Sequence, residues 1–121
     1  MSISEAESAV MEVLWREAPL GAQDILERVG AARGWREGTV KSLLNRLLKK
    51  RAVRVVRDGR RYLYRPALER ERYVFGESKN LVDRLFDGRI APLVAHFSEQ
   101  RKLSKRDIAE LRKLLRELDD E

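Results

Sequence analysis

Apolar residues along this chain follow two rhythms. Ala6, Ala9, Val10, Val13 and Leu14 recur at three and four, the spacing of one helix face. Just upstream, Ser4-Glu5-Ala6-Glu7 has a hydroxyl three residues before a carboxylate, the capping box that starts a helix. Ala18-Pro19 predicts its close. Gly21 predicts the opening of a second helix, with Ala22, Ile25, Leu26 and Val29 on one face and Gly30 to Gly34 as its end. A third helix is predicted from about Glu37 to Arg51. Val40, Leu43, Leu44, Leu47 and Leu48 form its inward stripe, and Thr39, Lys41, Ser42, Asn45, Arg46 and Lys49 face outward.

The rhythm then changes to period two. Val53-Arg54-Val55-Val56-Arg57 is rich in β-branched residues, and Arg61-Tyr62-Leu63-Tyr64-Arg65 returns after a turn. Asp58-Gly59 predicts a tight two-residue turn with both central positions at positive φ. Pro66 stops the second strand. Beyond it the helical rhythm resumes. A long helix is predicted from Leu68 to Asp87, carrying Tyr73, Leu81, Leu85 and Phe86 and ended by Gly88. A short one follows from Ile90 to Phe97, with Leu93, Val94 and Phe97 apolar. Ser104-Lys105-Arg106-Asp107 is a second capping-box pattern, and after it Ile108, Leu111, Leu115 and Leu118 make a short seam.

Three short helices and a basic hairpin predict a winged helix-turn-helix. The expected fold is mostly α with a small β-wing: a DNA-binding domain over 1–66, then an all-helical dimerisation tail over 67–121. The tail's long apolar side chains sit on an arm too thin to bury them, so a second copy is the expected cover. Leu81, Leu85, Phe86, Leu93, Phe97, Ile108, Leu111, Leu115 and Leu118 are the candidate dimerisation residues.

Charge sharpens this division. Residues 1–66 hold 14 Lys/Arg against 8 Asp/Glu, a net of +6, while residues 67–121 hold 12 of each. From Arg36 to Arg65 there are 11 basic residues against only Glu37 and Asp58, a net of +9. A solvated face usually carries acids too, so this segment points to a polyanionic partner. Thr39, Lys41, Ser42, Asn45 and Arg46 have the lengths and donors that reach base edges in a major groove, with Asn45 suited to adenine and Arg46 to guanine. Lys49, Arg57, Arg60 and Arg61, near the helix end and the wing, suit phosphates.

Other chemistries recede. There is no cysteine, which removes disulfides and thiolate metal sites. His96 is the only histidine and lacks companions, so no metal and no cofactor are expected. No phosphate loop or nucleophile–histidine pairing occurs, so no enzyme is expected. No apolar run approaches the roughly 18 residues of a membrane span, and the acidic N-terminus reads as no signal peptide, which predicts a soluble cytoplasmic protein. Trp15 and Trp35 are expected as core anchors, with Tyr62 and Tyr64 packed in the same way on one face of the wing.

At this point the residues resemble a known family. "EAESAVMEVLW" (5–15), "TVKSLLNRLLKK" (39–50), "DGRRYLYRP" (58–66) and "LFDGRIAPLVAHF" (85–97) are similar to the penicillinase-repressor/methicillin-resistance-repressor family of BlaI/MecI type, over essentially the whole chain. The resemblance implies a homodimeric repressor on an inverted-repeat operator in double-stranded DNA. For the penicillin-sensing members it also implies release by a membrane receptor-linked protease, through cleavage of an Asn-Phe bond in the tail. The matching positions here are His96 and Phe97. The copper-responsive branch carries a C-terminal cysteine cluster, which this chain lacks. Arg36 stands where relatives commonly carry an N-capping Ser. Two other readings fit the layout: a winged helix that binds protein, against which the +9 segment argues, and a small-molecule sensor, for which the tail leaves little room.

Overall fold

The computed structural model describes residues 2–120. The chain divides into two compact units, Met1–Tyr73 and Val74–Glu121.

In the first unit, α1 (Glu5–Arg16) begins as the capping box requires. Ser4 Oγ accepts from the Glu7 amide and Glu7 Oε1 accepts from the Ser4 amide, both at 3.1 Å. Its face of Val10, Met11, Val13 and Leu14 is buried. The second helix differs from expectation. α2 is regular only over Ala22–Ile25, continues as a π turn over Leu26–Gly30 and ends in a 3₁₀ turn over Ala31–Arg33. Gly30, where the π turn ends, is closely packed: a Cβ there would lie 2.7 Å from Leu26 Cδ1 and 3.4 Å from the Trp35 ring.

Helix α3 (Glu37–Lys49) buries Val40, Leu43, Leu44 and Leu47 against α1 and α2, each worth about 1.5–3 kcal/mol when fully covered. Leu48 is only half-buried. The helix ends two residues before the expected Arg51, which instead takes φ 61°. The Ala52 amide donates to the Leu47 carbonyl at 2.9 Å and the Arg51 amide to Leu48 at 3.0 Å. This is the Schellman arrangement, with an arginine where glycine usually sits.

Strands β1 (Val53–Asp58) and β2 (Arg61–Pro66) pair antiparallel, with Asp58 opposite Arg61 and Val53 opposite Pro66. The two turn residues are therefore Gly59 and Arg60, not Asp58 and Gly59 as expected. Only Gly59 has positive φ, at 63°. That is the pattern of a Gly-first turn rather than of one with both positions left-handed. Leu20 adds a third strand one residue long: its amide donates to the Tyr64 carbonyl at 3.0 Å, and its carbonyl accepts from the Tyr64 amide at 2.7 Å. Helices, hairpin and Leu20 bridge together make the winged helix-turn-helix. Trp15 is an anchor, as expected; its Nε1 donates to the Leu68 carbonyl at 2.8 Å and its ring lies 5.5 Å from that of Tyr73. Trp35 is half-buried against the same core.

Helix α4 (Arg70–Phe86) starts later than the expected Leu68 and runs from the end of the first unit into the second. The second unit then holds α5 (Ile90–Glu99) and α6 (Lys105–Asp119). Ser104 caps α6 with its Oγ 3.0 Å from the Asp107 amide. Among the described residues, Val82 is the only buried apolar one in this unit, whereas ten large apolar side chains of 74–120 are exposed, Phe75 at 68%. The thin arm leaves its apolar side chains uncovered, as the sequence predicts.

Candidate nucleic-acid interface

The amphipathic pattern of α3 fixes which side chains reach solvent. Thr39, Lys41, Ser42, Asn45, Arg46 and Lys49 are all exposed, on the faces left by the buried stripe. The helix opens at Arg36, whose side chain makes no capping hydrogen bond. The first-turn amides therefore have no side-chain acceptor and keep the partial positive charge of a helix start.

Pairing divides the cations into two groups. Of the eleven basic residues between Arg36 and Arg65, three lie within 4.0 Å of a carboxylate: Lys41 with Glu37 at 3.3 Å, Lys50 with Glu7 at 2.8 Å and Arg61 with Asp24 at 3.4 Å. The remaining eight have no such partner among the described residues: Arg36, Arg46, Lys49, Arg51, Arg54, Arg57, Arg60 and Arg65. Arg28 and Arg33, from the second helix, are instead spent on bidentate pairs with Glu17 and Glu5. Hydrogen bonds from these arginines, then their charge, hold both carboxyls below their usual range. In the first unit the unpaired cations therefore concentrate in residues 36–65, which hold eight of them, against Arg16 and Arg72 elsewhere among its described residues.

Lys50, counted in the +9 segment, is not available to a polyanion. Its Nζ donates to both Glu7 oxygens and to the Ser2 carbonyl, each at 2.8 Å, so all three protons are used inside the fold. Glu7 is 2% exposed. Burial pushes its carboxyl up, but hydrogen bonds from Lys50 and Ser4, with the Lys50 charge, outweigh this and hold it below its ordinary value. The pair ties the start of α1 to the end of α3.

On the wing, Arg60 sits in the turn beside Gly59, and Arg61 makes only a long, exposed contact with Asp24. Tyr62 is not packed as expected. It is 55% exposed, and the Arg57 guanidinium lies 5.2 Å over its ring centroid. Tyr64 does pack on the core.

Of the candidate dimerisation residues, Leu81, Leu85, Phe97, Ile108, Leu115 and Leu118 are exposed, and Phe86, Leu93 and Leu111 are half-buried. Leu93, Val94, Phe97, Leu103, Leu111 and Leu114 line an open apolar groove between α5 and α6, where the sequence leaves little room. His96 and Phe97 lie inside α5. The His96 carbonyl accepts from Gln100 at 3.1 Å and that of Phe97 from Lys102 at 2.9 Å. Among the described residues no acidic, histidine or cysteine group could hold a metal ion, and no helix is long and apolar enough to cross a membrane.

The profile of the penicillinase repressor family matches residues 3–117. The chain belongs to this family. Relatives of this penicillinase repressor family member include the penicillinase repressor of Bacillus licheniformis, 30% identical over 115 residues, covering 95% of this chain and 90% of that protein. The methicillin resistance regulatory protein MecI of Mammaliicoccus sciuri is 32% identical over 113 residues, covering 93% and 92%. Among solved structures, the monomeric form of Bacillus licheniformis BlaI in complex with the blaP half-operator matches with a TM-score of 0.52 and 28% identity, over 59% of this chain and 87% of that one. The family is one of repressors, and the winged-helix fold is shared.

Proposed function

We propose that this family member is a DNA-binding transcriptional repressor that acts as a homodimer on two inverted half-sites. The observation that carries the reading is the concentration of eight unpaired cations in residues 36–65, while Arg28, Arg33 and Arg70 elsewhere in the first unit are spent on carboxylates and only Arg16 and Arg72 among its other described cations are not. Thr39, Lys41, Ser42, Asn45 and Arg46 read or approach base edges in the major groove, and Lys49, Arg57, Arg60 and Arg61 hold phosphates. The BlaI half-operator complex supports this placement by likeness of fold. The exposed apolar residues of 74–120 support pairing of two tails through Leu81, Leu85, Phe86, Leu93, Phe97, Ile108, Leu111, Leu115 and Leu118. Joining two weak half-site contacts raises the effective concentration of the second.

Release follows from cutting the tail at His96-Phe97 by a membrane receptor-linked protease, which separates the DNA-binding unit from its dimerisation helices. The test compares the full chain with one truncated after His96, by sedimentation and by duplex binding over a salt series. The full chain is expected to be dimeric, with log K falling by about 0.9 per phosphate contacted for each tenfold rise in salt. The truncated chain is expected to be monomeric and to bind more weakly. A monomeric full chain indifferent to duplex at low salt refutes the function. A truncated chain that still dimerises and binds at full strength refutes the release mechanism.

A further inference from the structure

Tyr62 lies on β2 outside the apolar core, with just over half of its surface exposed. Tyr64, two residues along and on the same face, packs on that core. A large ring left in solvent at the end of a hairpin contributes little by burial. Its cross-strand partner is Arg57, next to the Asp58–Arg61 pair that closes the turn. Hydrogen-bonded and non-hydrogen-bonded pairs alternate along an antiparallel ladder. Arg57 and Tyr62 therefore face each other at a non-hydrogen-bonded pair, where Cα atoms approach to about 4.5 Å. The guanidinium sits over the ring, 5.2 Å from its centroid. A cation–π contact draws on the charge of the guanidinium over the ring and not on its N–H donors, which stay available. The bidentate pairs do the reverse: Arg28 gives two donors to Glu17.

We propose that Tyr62 is a positioning residue for duplex binding, its ring holding the Arg57 guanidinium in one pose with its donors open to a phosphate. This rests on the duplex-binding reading above. An arginine without such a platform must surrender rotamer freedom when it binds; Arg57 has surrendered part of it beforehand.

The experiment uses the full chain and four variants: Tyr62→Leu, Tyr62→Phe, Arg57→Ala and the Tyr62→Leu/Arg57→Ala double. Thermal melts establish that each is folded. NMR of the free protein reads the pair directly. The Arg57 Cδ protons are shifted upfield by the ring in the wild type and in Tyr62→Phe, and return to ordinary positions in Tyr62→Leu. Fluorescence anisotropy with a mixed-sequence duplex, at several salt concentrations, reads the consequence. Tyr62→Leu weakens binding about two- to five-fold, the worth of an exposed cation–π contact. Tyr62→Phe restores wild-type affinity, and the double variant binds no more weakly than Arg57→Ala. The salt slope falls by about 0.9 in Arg57→Ala but not in Tyr62→Leu, where the phosphate contact still forms. Wild-type affinity in Tyr62→Leu, or additive losses in the double variant, overturn the positioning role and leave the duplex reading intact. Lack of the upfield shift overturns the pairing itself. A wild-type chain that binds no duplex removes both.

Discussion

Lys50→Met deletes one half of an ion pair whose other half cannot leave the core. Glu7 stays buried and loses both of its bonds to Nζ, and the Ser2 carbonyl loses a third. Removing one partner of a buried pair costs about 3–5 kcal/mol. The Lys50 side chain is 32% exposed, so water reaches the rim, and a loss of about 2–3 kcal/mol is expected. For a unit of this size that lowers Tm by roughly 8–24 °C. The pH dependence gives a sharper check. In the wild type the Glu7 carboxyl is held below its ordinary 4.5, so its stabilisation is complete above that value and is lost as pH falls through the lowered folded value. In Lys50→Met the carboxyl is buried without a cation, and its folded pKa rises. Its penalty is then largest near neutrality and shrinks on acidification. Urea unfolding at several pH values should show the gap between the two proteins narrowing as pH falls. Adding Glu7→Gln to Lys50→Met should recover much of the loss at neutral pH. A gap under about 1 kcal/mol, or one that does not change with pH, refutes this account of the pair.

Arg46→Ala should cost about 1–3 kcal/mol on the operator and little on random duplex, whereas Arg60→Ala should weaken both alike; equal patterns for the two variants, measured by anisotropy, refute the division between reading and holding. Leu115→Glu places a charge on the exposed seam of α6 and should shift the sedimenting species from dimer to monomer while each chain keeps its helical circular dichroism. Arg51→Gly should stabilise the first unit by about 1 kcal/mol, because a left-handed residue without a Cβ relieves the steric cost at the end of α3. A lower urea midpoint in Arg51→Gly would count against that view.

Local chemistry made much of the fold legible. Ser4 and Glu7 sit three residues apart, and the cap they predict is formed atom for atom. The stripe from Val40 to Leu47 identifies both the buried face of α3 and, by exclusion, the outward residues. Features that depend on partners distant in sequence were not legible. Lys50 and Glu7 are 43 residues apart, and nothing near Lys50 distinguishes it from Lys49. The turn was misplaced by one residue because glycine suits either central position. The register is set instead by strand pairing, which puts Pro66, with no N–H to donate, opposite Val53 at the open end. Gly30 read as a helix terminator, but its role is to admit Leu26 and Trp35. The tail's apolar seam and its lack of internal cover could both be read, but the groove between α5 and α6 could not.

The single-residue strand at Leu20 has a mechanical consequence. Its two hydrogen bonds to Tyr64 staple the base of the wing to the link between the first two helices, and the Ala67 and Leu68 amides fasten the far end of the hairpin to Ala52 at 2.8 and 3.1 Å. On the proposed duplex-binding reading, the helix assigned to one groove and the hairpin tip assigned to the backbone are thus the two jaws of a caliper held at one opening. A duplex gripped by such a tool has to supply the adjustment itself. Sequences that bend or narrow easily are then favoured even at base pairs no side chain touches.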